Sequence, residues 1–278
     1  MGDGLPETPD AGMEVTGLTE VEPSPVEETP IEFKEEYFPF STVRSASPTT
    51  SVLGLGSHGP AYYLTRVQKY SSYAFTVFTA FHITNTSIIP LLTKSVTESN
   101  RYLLLTRPYY QSALTEPLLV AIPLVAHITS GLALRFYRRS QSLRRYGAET
   151  RRDKKTIPWP PLSGTSALGY LSVVAVGSHM WTTRILPLYM HGDSSLINLS
   201  YVSHSFELFP YLAFGGMTAL VGIATWHTVW GWAKWLGFLP SQVTVTDSRR
   251  HLIKKRRWYM INAASALVAG LWMAEVCQ

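Results

Sequence analysis

The sequence predicts an all-α, polytopic membrane protein: five transmembrane helices behind a disordered N-terminal arm. Three observations predict it. Five apolar runs lie near the ~20 residues that a bilayer core requires. The charges of the 278-residue chain are segregated between those runs rather than dispersed, although 46% of its residues are hydrophobic. And each of the first four runs carries one interior histidine, His82, His127, His179 and His227, where an ionisable side chain is costly and usually functional.

Taken in order, residues 1–60 are rich in Pro, Glu, Ser, Thr and Gly and have no sustained periodicity. Such a segment buries too little apolar surface to offset its ordering entropy, so it reads as a disordered, acidic arm. Within residues 1–40 there are eleven acids and a single base, Lys34. The arm has no basic region followed by an apolar core, so it is not a cleavable signal, and its acidity is the opposite of an Arg-rich transit peptide. The position where myristoylation needs Ser or Thr holds Pro6.

The predicted spans follow at about 70–92, 117–137, 164–189, 206–233 and 258–276, within a domain of residues 65–276, and are punctuated by Pro90, Pro108, Pro117, Pro187 and Pro240. Arg135, Arg138, Arg139, Arg144, Arg145, Arg151, Arg152, Lys154 and Lys155 crowd the connection between spans 2 and 3. Lys234, Arg249, Arg250, Lys254, Lys255, Arg256 and Arg257 crowd that between spans 4 and 5, whereas the other two connections hold Lys94, Arg101 and Arg107, and Arg184. The positive-inside rule places the two basic connections in the cytosol, and with them the arm. These bases therefore belong to a membrane topology and not to a nucleic-acid surface. A single cysteine, Cys277, excludes an intrachain disulfide framework.

Orientation gives each histidine a depth. His127 lies eight residues before Arg135 and His227 seven before Lys234, so both sit roughly 11–12 Å below the cytosolic anchors at ~1.5 Å per residue. His82 and His179 lie eight residues before Pro90 and Pro187, in the opposite half. Depth therefore pairs His127 with His227 and His82 with His179, as the axial ligands of b-type haem within a four-helix bundle. Gly131 and Gly231 stand four residues after the cytosolic pair and leave bare helix surface for a ring edge. Arg135 and Arg184 are placed where haem propionates would emerge. Packing remains the alternative account of an intramembrane histidine or glycine. Zinc fits less well, because two layers of two histidines give each layer too few ligands.

One histidine in each of four successive spans, with "HITSGLALRF" at 127–136, "SHMWTTR" at 178–184 and "WHTVWGWAKWLG" at 226–237, resembles the transmembrane cytochrome b subunits of succinate dehydrogenases and fumarate reductases. That resemblance implies histidine pairing between helices 1 and 3 and between helices 2 and 4. No flavin or iron–sulfur ligand set accompanies it, and the chain reads as a binding protein rather than a catalyst. With its long cytosolic arm the chain also resembles the fungal mitochondrial outer-membrane adaptor family. This second resemblance implies a role in mitochondrial lipid homeostasis and recruitment of a chorein-type, bridge-like lipid-transfer protein through a Pro-X-Pro motif. The best match in the arm is Pro23-Ser24-Pro25, with Leu18 and Val21 upstream; a pre-extended segment of this kind binds at low entropic cost.

The expected function is thus an outer-membrane adaptor with a haem-binding membrane domain. A b-type electron carrier or quinone oxidoreductase subunit, and a phospholipid scramblase acting on membrane lipids, are the alternatives. Endoplasmic reticulum and mitochondrial inner membrane are the alternative locations. The sequon Asn198-Leu199-Ser200, on the predicted non-cytosolic side, would be glycosylated in the reticulum and not in the outer mitochondrial membrane.

Overall fold

The computed structural model describes residues 58–194 and 196–274, which belong to one compact unit beginning at His58. Leu18, Val21, Pro23 and Pro25 of the arm, and Cys277, lie outside the described residues. The described chain is all-α, with eight helices.

Helix α1 runs over Pro60–Thr93. Pro60 starts it at a position where no backbone donor is needed, and Lys94 ends it in the left-handed region at φ 51, its N–H reaching the Pro90 carbonyl. The short α2, Val96–Gln111, is capped by Ser95, whose hydroxyl accepts from the Glu98 N–H. Helix α3, Pro117–Arg145, is followed by α4, Arg151–Thr156, which begins with a reciprocal Thr150–Asp153 capping box. The hydrogen bonds from Thr150 hold the Asp153 carboxyl below its ordinary range.

Helix α5 covers 164–191, from the Ser163 cap to Gly192 at φ 79. A short α6, Leu199–Leu208, leads directly into α7, Pro210–Trp235, and α8 spans Arg250–Met273. One wide turn, Pro117–Ala121, opens α3; two more interrupt the long helices, Thr84–Ile88 in α1 and Trp181–Ile185 in α5. Each of these two precedes a proline, Pro90 or Pro187, whose ring would clash with the carbonyl one turn back in an unbroken α-helix, and the extra residue relieves that clash.

Among the described residues, three segments are long and apolar enough to cross a membrane: Pro60–Thr93, Pro117–Arg145 and Pro210–Gln242. The five spans read from the sequence thus become three on composition. Helix α5 is diluted by Gly, Ser, Thr and His residues. Helix α8 opens on Arg250, His251, Lys254, Lys255, Arg256 and Arg257, so its apolar part starts only at Trp258. The last span as read, 258–276, is a helix that begins eight residues earlier and is described to Ala274.

Burial departs from that of a water-soluble bundle, with polar side chains sharing the interior with Leu103, Val221 and Ile261. Ser71, Asn85, Ser87, Ser130, Thr225 and Ser265 are buried, while Leu92, Val174, Tyr211, Leu212 and Leu267 are exposed. Several buried hydroxyls turn back on carbonyls of their own helix, as Ser130 does to His127 and Ser265 to Ile261, which satisfies them without water. An apolar exterior this extensive is stable only against lipid.

Helix α1 packs along α3, and α5 along α7, giving two hairpins. Between hairpins, Tyr73 stacks on Trp232 at 4.8 Å, and Glu116 of α3 pairs with Arg184 of α5. Helix α8 lies on α7 through the Trp226–Asn262 hydrogen bond (3.1 Å) and reaches the wide turn of α1, where Ser87 donates to the Trp272 carbonyl at 3.0 Å. Arg139, 8% exposed, ties the basic connection down: it donates to the carbonyls of Ile157 (2.9 Å), Pro158 (2.8 Å) and Lys154, and lies over the Trp159 ring. Arg139→Ala should therefore release residues 150–160, and limited trypsin digestion should cut at Arg151–Lys155 several times faster. An unchanged cleavage rate would mean that the clamp is dispensable.

Candidate functional site

The two hairpins face each other across one cavity of about 1380 Å³, lined by all four interior histidines. Helices α1 and α5 bring His82 to His179, with ring centres 5.9 Å apart and ring planes at 65°. Helices α3 and α7 bring His127 to His227, at 6.1 Å and 80°. Both separations have a chemical meaning. A ligating imidazole nitrogen sits about 2.0–2.1 Å from its metal, so two rings on opposite sides of one metal atom have centres roughly 6 Å apart.

The second nitrogen of each near-layer ring is committed to the backbone. His127 Nδ1 lies 3.1 Å from the Gln68 carbonyl, and His227 Nδ1 lies 3.0 Å from the Thr165 carbonyl. A carbonyl only accepts, so each Nδ1 carries the proton and donates it, which leaves Nε2 with a bare lone pair. In the far layer, His82 packs on Phe78 at 5.5 Å. Thr86 and Thr183 donate to the carbonyls of His82 and His179, at 2.8 and 2.7 Å. Because His127 is level with Gln68, fourteen residues before His82, the layers lie about 21 Å apart along α1.

The hairpins are built alike. An offset of 97 positions relates Gln68 to Thr165, Tyr73 to Tyr170, His82 to His179, Thr86 to Thr183 and Pro90 to Pro187, and it carries the wide turn of α1 onto that of α5. An offset of 100 relates His127 to His227 and Gly131 to Gly231. Each layer thus takes one equivalent imidazole from each half.

The surrounding residues divide into several roles. A methyl group added at Gly231 or Gly177 would meet nothing within 4 Å, and both glycines face the cavity. One added at Gly131 would come within 3.0 Å of the Gln68 side-chain nitrogen, so that bare surface accommodates Gln68. Gly169 is the closest approach of all: a Cβ there would lie 2.9 Å from His227 Cε1. Arg184 lines the far part of the cavity, but its guanidinium is a fork on the Glu116 carboxylate and also donates to Ser194 Oγ at 2.6 Å. Arg135 lies over Trp159 at 5.5 Å and borders a smaller adjoining pocket of about 110 Å³, while Arg138 and Lys234 line both spaces.

Sequence reasoning missed Gln68, Thr165, Gly169, Arg138, Lys234 and the partner of Arg184. Helical phase could have found two of these. Seven or eleven residues bring a helix back to within about 20° of its starting face, so Lys234 follows His227 and Arg138 follows His127; Arg135, at eight, is turned by about 80°. The offset of 97 could have found Gln68 and Thr165. His58, His191, His204 and His251 are exposed.

No curated protein and no solved structure matches the chain. A family model does match. It covers the second half of α5, all of α6 and α7, and α8, and so includes His179, His227 and Arg184. Over residues 174–276 the chain is similar to the family described as MDM10-complementing protein 1, transmembrane domain.

Proposed function

We propose that this chain is a five-span mitochondrial outer-membrane adaptor whose bundle holds b-type haem between its histidine pairs. The observation that carries the haem reading is the near layer: two imidazoles 6.1 Å apart, each with Nδ1 engaged by a backbone carbonyl, facing one cavity. His127 and His227 would hold the metal of such a group through their Nε2 atoms. The cavity volume exceeds the roughly 300–1,000 Å³ of a typical small-ligand pocket, which suits two planar groups, one per layer. The protein's own part is to orient the rings, keep both Nε2 atoms unprotonated and exclude water. Bound there, haem supplies a one-electron couple or a structural tie across four helices. Detergent-purified protein should show the sharp reduced-state bands of bis-imidazole haem, and His127→Ala should remove the near-layer share. A purified protein without such bands would end the reading.

Supporting the membrane assignment are the three apolar spans, the apolar exterior and the similarity over residues 174–276. The five-span topology completes α5 and α8 as crossings and sets both basic connections in the cytosol. The adaptor role rests on that similarity and on the Pro23-Ser24-Pro25 motif. Replacing Pro23 and Pro25 by Ala should abolish recruitment of a chorein-type lipid-transfer protein to mitochondria and leave membrane insertion intact. Recruitment that survives would exclude the motif. A transmembrane electron carrier is the second reading, favoured by two layers stacked about 21 Å apart instead of a single site.

A further inference from the structure

The two halves match through both histidine layers and part company just beyond the near one. Under the offset of 100, Arg138 corresponds to Phe238 and Lys234 to Leu134. Arg135 likewise corresponds to Trp235, so the first half contributes two cations that the second lacks, the second contributes one, and the three converge. Arg138 and Lys234 both line the end of the large cavity, and with Arg135 they border the adjoining pocket of about 110 Å³. Its remaining polar walls are Gln68, Ser163, Ser166 and Tyr170, and no carboxylate lines it. Ser163 caps α5, so the positive end of that helix also faces this region.

Arg138 is exposed, and Arg135 and Lys234 are half-buried over the rings of Trp159 and Trp235, but three cations around one pocket with no carboxylate in its wall still favour an anion among them. The far layer differs. There Arg184 has its carboxylate within the protein, on Glu116. The near pocket also lies directly above the level of His127: Gln68 and Gly131 belong to its wall, the first bonded to His127 and the second one turn along from it.

We infer that the pocket bounded by Arg135, Arg138 and Lys234 is an anion site for the carboxylate side arms of the ring held by His127 and His227. The inference rests on the haem reading above. The symmetric histidines grip the metal, which presents the same face to both halves, and the asymmetric cations select the ring's acidic edge. The ligand is thereby set in one orientation, carboxylates toward the basic end of the bundle. Arg138 and Lys234 are positioning residues here, reading the substituents rather than the iron.

The test uses the full-length chain in detergent, in a His179→Ala background so that only the near layer reports. Stripped protein is loaded with haem b or with its dimethyl ester, in which both carboxylates are neutral, and binding is followed by the low-spin absorbance. The starting protein should prefer the free acid by about tenfold or more, the size of a lost charge-assisted contact. Arg138→Gln with Lys234→Gln, which leaves Arg135 in place, should remove most of that preference and lower the midpoint potential, since two cations that favour the added electron are gone. Arg138→Lys with Lys234→Arg should restore both. Size-exclusion profiles confirm that the variants fold. A preference unchanged in the double Gln variant overturns the inference, and so does a starting protein that takes both rings alike, which leaves the haem reading standing. A protein that takes neither ring overturns both.

Discussion

Gly169→Ala is expected to displace His227 and, on the proposed reading of one haem per layer, to empty the near layer while leaving the far layer loaded, so that haem content falls to about half that of the unsubstituted protein. Gly169 is not a ligand and carries no donor atom. Its importance is the 2.9 Å that would separate a Cβ there from His227 Cε1. Real carbon atoms do not approach that closely, so either the ring or α5 must shift. The ring is poorly placed to yield, because Nδ1 is bonded to the Thr165 carbonyl, one turn back on the same helix as Gly169. A displacement of several tenths of an ångström would move Nε2 away from the metal it would hold, and a bond of about 2 Å tolerates little error. His227→Ala should give the same half-loss by removing the nitrogen outright. Gly222→Ala, on α7 where an added methyl meets nothing within 4 Å, should leave the spectrum unchanged. Full loading of Gly169→Ala, measured as haem per protein after purification, would exclude the close contact as a determinant of the site.

Glu116→Ala should cost about 2–3 kcal/mol of stability, the worth of a charge-assisted contact left half unmade. The Glu116 carboxylate and the Arg184 guanidinium form a two-pronged pair, and both side chains are about a quarter exposed. The pair joins α3 to α5, so it closes the far end of a seam between the hairpins. Removing the acid takes the carboxylate from the guanidinium and leaves its bond to the Ser194 hydroxyl in place. Removing both members, as Glu116→Ala with Arg184→Ala, should cost less than the sum of the single changes, since no unpaired charge is left behind. Thermal unfolding of detergent-solubilised protein would read this out. Strict additivity would show that the two residues do not act as a unit.

Arg184 also shows where reading a chain residue by residue reaches its limit. From position alone it stood at the right depth for a haem carboxylate. Only folding brings it and Glu116, sixty-eight positions apart, into one ion pair. The same holds for His127 and the Gln68 carbonyl, and for Gly169 under His227. Such contacts depend on how two helices are rotated about their axes, and hydropathy carries no information on rotation. Arg135 and Arg138 illustrate the opposite case, because three residues of helical phase distinguish them without any tertiary knowledge.

What the sequence determined by itself was the class of protein and the heights of its parts. Apolar runs, prolines and basic clusters define helices and their order, since bilayer thickness and the cost of burying charge act on composition locally. Depth along a helix is likewise a matter of counting residues at a fixed rise. The tertiary structure decided which faces meet. It set the two pairs of rings about 6 Å apart, gave each near ring its backbone acceptor, turned Arg184 onto Glu116 and gathered Arg138 with Lys234. Those outcomes depend on the packing of the hairpins against one another, and that packing arises from long-range contacts that no local stretch of chain encodes.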